Sequence, residues 1–246
     1  MTSSSVSDNH GQGRTLGHEG YGIVDEAGEG LKQHKKGDRV LISAISSCAA
    51  CPYCRKGMNS HCLKGGWLLG HTVDGTQAEY VRIPLADGSL HPAPEKVDEK
   101  ALVMLSDILP TGYECGVLNG KVSPGCSIAI VGAGPVGLAS LICSKLYTPA
   151  KIIVIDKDQG RLDVAKKLGA TDVLIANCSE QEMTKRVMDL TDGLGTDVVM
   201  EAVGYPETLE LAQELVAPGG VIANIGVHGK DCQLKIVKLW GRNICE

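Results

Sequence analysis

The stretch Cys126-Ser-Ile-Ala-Ile-Val-Gly132-Ala-Gly134-Pro135-Val136-Gly137-Leu-Ala-Ser140 confines this chain to a narrow set of folds. It reads as a short apolar strand, a glycine turn and the start of a helix, with Gly132, Gly134 and Gly137 spaced as G-x-G-x-x-G. The first glycine permits a tight turn, the second lets a pyrophosphate approach the backbone, and the third lets helix and strand pack closely. The helix start presents unpaired N–H groups and the positive end of its dipole to phosphates. A glycine pattern alone is weak evidence, but here a strand precedes it, a helix follows, and a second strand at Lys151–Ile155 ends in Asp156. A carboxylate at that position accepts hydrogen bonds from both ribose hydroxyls of an adenosine and repels a 2′-phosphate. The pattern therefore predicts NAD rather than NADP, with Gly132, Gly134, Pro135, Gly137 and Asp156 as cofactor contacts.

The same alternation continues along the C-terminal half. Strands are expected at Ile128–Val131, Lys151–Ile155, Asp172–Ile175, Asp197–Glu201 and Val221–Ile225. Helices are expected at Val136–Leu146, Arg161–Leu168 (closed by Gly169), Ser179–Leu190 (with Ser179 as N-cap and Glu182 three residues on) and Glu207–Val216. Such alternation means βαβ units and a doubly wound parallel sheet. Five strands are counted, and a sixth would begin near Asn243-Ile-Cys-Glu246. Between Ala101 and Leu118, two helical runs are expected on either side of a break at Pro110.

The N-terminal half has a different character. Tyr21–Val24, Val40–Ile42 and Ala78–Ile83 read as strands, Gly28–Gly30 and Gly37–Arg39 as turns, and Pro84–Pro94 as a proline-rich loop. The division predicts a β-rich domain over residues 1–100 and a dinucleotide-binding α/β domain over residues 101–246.

A net charge of −5 gives no electrostatic case for nucleic acid or an anionic membrane. No apolar run reaches membrane-spanning length. Residues 1–12 are polar and serine-rich without an apolar core, which predicts a tail rather than a secretory signal. Ten cysteines, six of them scattered, suit a reducing, cytoplasmic setting better than a disulfide framework. The chain contains no Phe, for which we have no physical account.

The other four thiols cluster as Cys48-x2-Cys51-x2-Cys54-x7-Cys62. Four thiolates held this close suit tetrahedral zinc, and four protein sulfurs leave no open position, so such a site is structural. Redox cysteines and an iron–sulfur cluster are the alternatives. Few basic residues and no following helix argue against a nucleic-acid-reading finger. His18, in Gly17-His-Glu-Gly20, reads in isolation as a loop histidine, and Asp107 as a helix-surface carboxylate or one relieving the break at Pro110.

Taken together, these pieces resemble the zinc-dependent medium-chain alcohol dehydrogenases over nearly the whole chain. The motifs are Gly17-His18-Glu19, the four-cysteine loop, Trp67, the Asp74-Gly-Thr-Gln-Ala-Glu-Tyr80 stretch, Asp107 with Thr111-Gly-Tyr113, and the glycine turn with Asp156. The resemblance implies a GroES-like catalytic domain joined to a Rossmann domain. It implies a catalytic zinc held by His18 and Asp107, with Glu19 as a neighbouring or exchanging ligand. Thr111 and Val136 would pack on the nicotinamide, Val203, Gly204, Gly226 and Val227 would border the cofactor, and Trp67 would line a pocket for a small secondary alcohol or its ketone.

The family's first catalytic ligand is a cysteine well upstream of G-H-E. Only 17 residues precede His18, none of them Cys, with Asp8 or His10 as conceivable substitutes. A chain truncated at both ends is therefore expected, along with weaker zinc retention at the catalytic site. Homo-oligomers of this family often assemble through the sixth strand, a mode this chain would lack. Two further readings follow: a catalytically impaired NAD- and zinc-binding relative, and a cysteine-rich interaction module fused to a dinucleotide sensor.

Overall fold

A computed structural model describes residues 13–244 and divides the chain into two compact units, Met1–Asp107 and Ile108–Glu246. The expectations for Asp8, His10, Cys245 and Glu246 lie outside the described residues.

The first unit carries a three-stranded antiparallel sheet, β1 (Gly20–Ile23), β2 (Arg39–Ile42) and β3 (Leu90–Pro92), in that order. Val40 and Ile42 point to one face and are buried with Leu69 and Leu90. Two expectations fail here. The segment Pro84–Pro94 is not all loop, because Leu90 pairs with Ile42 and Pro92 with Val40. Proline is tolerated there because β3 is an edge strand, where a missing N–H leaves no ladder bond unmade. Ala78–Ile83, in contrast, joins no strand. Its alternation records the inward packing of Val81 and Ile83 on the small core, which needs no backbone pairing.

Helix α1 (Glu99–Val103) is capped by the Asp98 side chain, which accepts the Lys100 N–H at 3.0 Å. Leu102 is fully buried beneath it. The expected boundary at 100/101 falls inside this helix, which belongs with the first unit. Ser106, beyond its end, bonds both the N–H and the carbonyl of Gly20 on β1.

The second unit begins with α2 (Ile108–Thr111), which runs on without interruption as a π-helical turn over Gly112–Leu118. The expected break at Pro110 is displaced: the chain turns at residues 104–107, and Pro110 lies in the first turn of the next helix, where no N–H is required. Strands β4 (Ser127–Val131), β5 (Lys151–Asp156), β6 (Asp172–Ile175), β7 (Thr196–Glu201) and β8 (Val216–Asn224) form a parallel sheet in the order β6-β5-β4-β7-β8. This is the doubly wound dinucleotide-binding order, with its switch point at β4. On β4, Ile128 and Ile130 enter the core on one face while Ala129 and Val131 enter the core on the other. Helices α3 (Pro135–Ser144), α4 (Gln159–Leu168), α5 (Glu180–Leu190) and α6 (Pro206–Leu215) lie between the strands in sequence. Gly169 closes α4 at φ +110°, and the Ser179 hydroxyl caps α5 through the Glu182 N–H, as the sequence predicts. After β8 the chain forms α7 (Ile236–Gly241), which the sequence did not announce. No strand begins at Asn243 or Ile244. No helix among the described residues is long and apolar enough to cross a membrane.

Candidate metal and dinucleotide sites

In the first unit, the segment before β1 is pinned by the Asp74–Gln77 turn. Asp74 accepts the Thr15 N–H, and the N–H groups of Gly75, Thr76 and Gln77 bond the carbonyls of Thr15, Gly17 and Leu16 at 2.8–3.0 Å. Gly17 has φ +98°, and a Cβ on Gly75 would lie 2.0 Å from its carbonyl oxygen. Only glycines let the two backbones meet this closely, and the contact presents His18. Asp107 reaches the same place from the far end of the unit, because the paired bonds of Ser106 to Gly20 fix the adjacent residue.

The two side chains meet, with His18 Nε2 3.0 Å from Asp107 Oδ2. This hydrogen bond raises the His18 pKa from its ordinary 6.5, against the opposing effect of burial, and the charges of Asp107 and Glu19 add to the rise. The pair thus favours the protonated imidazole. Trp67 packs edge-on against His18 with ring centroids 5.7 Å apart, and stands half exposed. Glu19 lies close enough for its charge to act on His18. Its Oε1 is buried without a hydrogen-bond partner, yet it forms no three-donor cluster with His18 and Asp107. An imidazole, a carboxylate and an orphaned buried carboxylate oxygen are nevertheless donors that suit zinc.

Among the described residues, the one set of three or more His, Cys, Asp or Glu with converging donor atoms is Cys48, Cys51, Cys54 and Cys62, whose sulfurs all lie within 4.8 Å of one another. A tetrahedral site with Zn–S bonds of about 2.3 Å requires sulfurs roughly 3.8 Å apart, so the set fits zinc. Two short 3-10 turns, Cys54–Lys56 and Asn59–His61, carry the loop. Backbone N–H groups of Cys54 and Leu63 lower the Cys51 thiol to about 6, while burial and neighbouring thiols push Cys54 up to about 11. For Cys62, burial is outweighed by the N–H groups of Lys64 and Cys48, and its pKa falls. The loop therefore favours part of the set as thiolates, and a bound cation would favour all four.

In the second unit, the glycine turn joins β4 to α3. Gly132 adopts φ +102°, and a Cβ on Gly137 would lie 1.9 Å from the Gly132 carbonyl oxygen. A Cβ on Gly134 would meet nothing within 4 Å, so the turn opens outward at the position where a pyrophosphate would approach. Pro135 and Val136 begin α3. Asp156 has backbone partners of its own. Its Oδ2 accepts the Ala133 N–H at 2.6 Å and its Oδ1 the Asp158 N–H at 2.8 Å, so it braces the turn from the tip of β5. Arg161 Nη1 lies 3.9 Å from Oδ2, a cation that the sequence reading did not weigh.

Thr111 lies where α2 passes into the π-helical turn. A Cβ on Gly112 would crowd Ala139 and Ser140 of α3 to within 2.9 Å, so α2 lies tightly along that helix. Val203 and Gly204 follow β7, which pairs with β4, and Gly226 and Val227 follow β8, which pairs with β7. Sequence reasoning missed two residues that act at these places, Ser106 next to Asp107 and Arg161 next to Asp156. Neither has a spacing signature, because each acts through a contact made only in the fold.

Two family models match the chain: the alcohol dehydrogenase GroES-like domain over residues 4–95 and the zinc-binding dehydrogenase over residues 135–245. Zinc-type alcohol dehydrogenase B of Aspergillus flavus is 40% identical over 223 residues, covering 89% of this chain and 52% of that protein. The NADP-dependent isopropanol dehydrogenase of Thermoanaerobacter brockii is 33% identical over 229 residues, covering 92% of this chain and 64% of that one. The chain thus spans about half to two thirds of the length of these relatives. Among solved structures, zinc-dependent alcohol dehydrogenase 2 from Streptococcus pneumonia, in its apo form, is 50% identical with a TM-score of 0.91, covering 96% of this chain and 67% of that one. With both halves matched by family models, and with this identity and coverage, the chain belongs to the zinc-binding, medium-chain alcohol dehydrogenase family.

Proposed function

We propose that this chain interconverts a small secondary alcohol and its ketone, with zinc and NAD as its cofactors. The observation that carries the reading is the meeting of His18 and Asp107, 89 residues apart in sequence, beside a half-exposed Trp67. Bound zinc supplies Lewis acidity that lowers the pKa of an alcohol, and the dinucleotide carries the hydride. His18 and Asp107 would hold the catalytic metal, with Glu19 as an exchanging ligand, and Cys48, Cys51, Cys54 and Cys62 a structural one. Trp67 would present an apolar wall to the alkyl groups of the substrate. The open turn at Gly132–Gly137 would seat the pyrophosphate on the N-terminus of α3, and Asp156 would accept the adenosine ribose hydroxyls. Thr111, Val136, Val203, Gly204, Gly226 and Val227 would border the nicotinamide.

The choice of NAD rests on the Asp156 carboxylate, which would repel a 2′-phosphate. The NADP-dependent relative and the nearby Arg161 make the opposite preference the alternative to exclude. Thiols without disulfide partners among the described residues support a reducing, cytoplasmic setting. The test is a panel of short alcohols assayed with each dinucleotide on zinc-loaded protein. Faster reduction of NAD by secondary than by primary alcohols supports the reading. Binding of NAD without any alcohol-dependent NADH would instead favour the catalytically impaired relative.

A further inference from the structure

Glu201, the last residue of β7, is fully buried and belongs to no feature described so far. Its Oε1 accepts the N–H groups of Val203 and Gly204, both at 2.9 Å, and the Thr208 hydroxyl at 2.8 Å. Its backbone carbonyl accepts the N–H groups of Ile225 and Gly226 at 2.8 and 2.9 Å. One residue therefore grips both loops at the carboxyl ends of β7 and β8. The loops also touch each other: a Cβ on Gly204 would lie 2.4 Å from the Val227 carbonyl oxygen, and one on Gly226 would lie 2.4 Å from Glu201 Oε2.

The second carboxylate oxygen faces His228, whose Nε2 is 3.2 Å away. That nitrogen also lies 2.9 Å from Asn224 Oδ1, and the other ring nitrogen lies 3.1 Å from Cys232 Sγ. Burial and the surrounding carboxylates push the Cys232 thiol up. Oε2 itself is buried without a hydrogen-bond partner, with His228 its nearby cationic candidate.

A dinucleotide in this sheet has its pyrophosphate at α3 and its adenosine toward Asp156 on β5. Its other half must extend over the ends of β7 and β8, on the opposite side of the switch point. The loop after β7 already meets the glycine turn, since a Cβ on Gly132 would crowd Val203 Cγ2 at 2.6 Å. Resting on the dinucleotide reading above, we infer that Glu201 is a positioning residue that, with His228, holds the two loops in the arrangement that receives the nicotinamide half of the cofactor.

The role predicts a selective defect. Glu201→Gln keeps the shape and the backbone grip on Ile225 and Gly226, but removes the charge from the bonds to Val203 and Gly204. Binding of NADH and of ADP-ribose, which lacks the nicotinamide, is measured by titration on the full chain. Amide hydrogen exchange is followed on the cofactor-free protein. Expected are a rise of about tenfold in the Kd for NADH, ADP-ribose within about twofold of wild type, and faster exchange at Val203 and Gly204. His228→Gln, which leaves the buried carboxylate bonds in place, is expected to speed exchange at Gly226 and Val227 and to weaken NADH alone. Equal losses for both ligands, or unchanged exchange, would show a merely structural residue and overturn the inference. A wild-type chain that binds neither ligand would instead overturn the dinucleotide reading, and the positioning role with it.

Discussion

Asp107 Oδ2 lies 3.0 Å from His18 Nε2, and the contact is made by residues from opposite ends of one compact unit. Neither residue is persuasive as a metal ligand when taken alone. Together they form a pair whose hydrogen bond favours the protonated imidazole, and a metal ion would take the place of that proton.

Removing either side chain is expected to abolish one metal site and spare the other. Asp107→Ala and His18→Ala, loaded with zinc and freed of excess metal, should each lose one zinc equivalent and retain the other. Elemental analysis reads this directly. Full zinc content in both variants would remove these residues from the metal site.

The cysteine loop makes a complementary case. Its four sulfurs converge, and the two short turns that carry the loop bury no residue, so the metal is expected to hold the loop. Cys51→Ser should lose the zinc that the Asp107→Ala variant keeps, and its Tm should fall by about 4 °C or more. Unchanged zinc and Tm would rule out a structural site at this loop.

Ser106 is buried, and its hydroxyl contacts both the N–H and the carbonyl of Gly20. Ser106→Ala leaves that N–H unpaired, at a cost of about 1–3 kcal/mol. It also frees the adjacent Asp107. Thermal unfolding should show the loss, and zinc at the His18–Asp107 site should dissociate faster while the four-cysteine zinc is retained. A variant with wild-type Tm and metal retention would contradict the assigned role.

Asp156 braces the glycine turn through Ala133 and is expected to hold the ribose. Asp156→Ala should weaken NAD by about tenfold or more, given the strength of hydrogen bonds to charged groups. It should also narrow the preference for NAD over NADP, since Arg161 then faces a 2′-phosphate without the opposing carboxylate. Titration with both dinucleotides checks this, and an unchanged preference would sink the ribose assignment.

Glu214 provides a pH dependence with a definite sign. Burial opposes its ionisation, but Lys238 and Lys235, the latter at 2.9 Å, hold its pKa below the ordinary 4.5. A carboxylate with a depressed folded-state pKa stabilises the protein above its unfolded value, and that contribution is lost as pH falls through the folded value. The Tm gap between wild type and Glu214→Gln should therefore be full at neutral pH and close as the pH drops below about 4. A gap that persisted or widened in acid would contradict the assignment.

The α/β half was legible in the sequence because its signals are local. Strand runs, the caps at Ser179 and Gly169, and the three glycines each act within a few residues. The strand order then follows from the fold rule. The first unit was less legible because its organisation depends on contacts across the chain. Ala78–Ile83 alternates like a strand yet pairs with nothing, and β3 hides behind two prolines because only its position at a sheet edge makes them harmless. The carboxylate proposed for the catalytic metal shows the same limit: Asp107 is set by Ser106 gripping Gly20, a relation with no spacing to read. Glu201 was passed over as the end of a strand, since only the folded loops show what it holds.

The central claim is that this chain moves hydride between an alcohol and NAD with the help of zinc. The most direct measurement is the initial rate of NADH formation from NAD and a short secondary alcohol, in chelator-treated protein before and after zinc is restored. Expected is alcohol-dependent NADH that disappears with the metal, returns with zinc, and does not return in Asp107→Ala. No alcohol-dependent NADH from protein that carries its full zinc and binds NAD would contradict it.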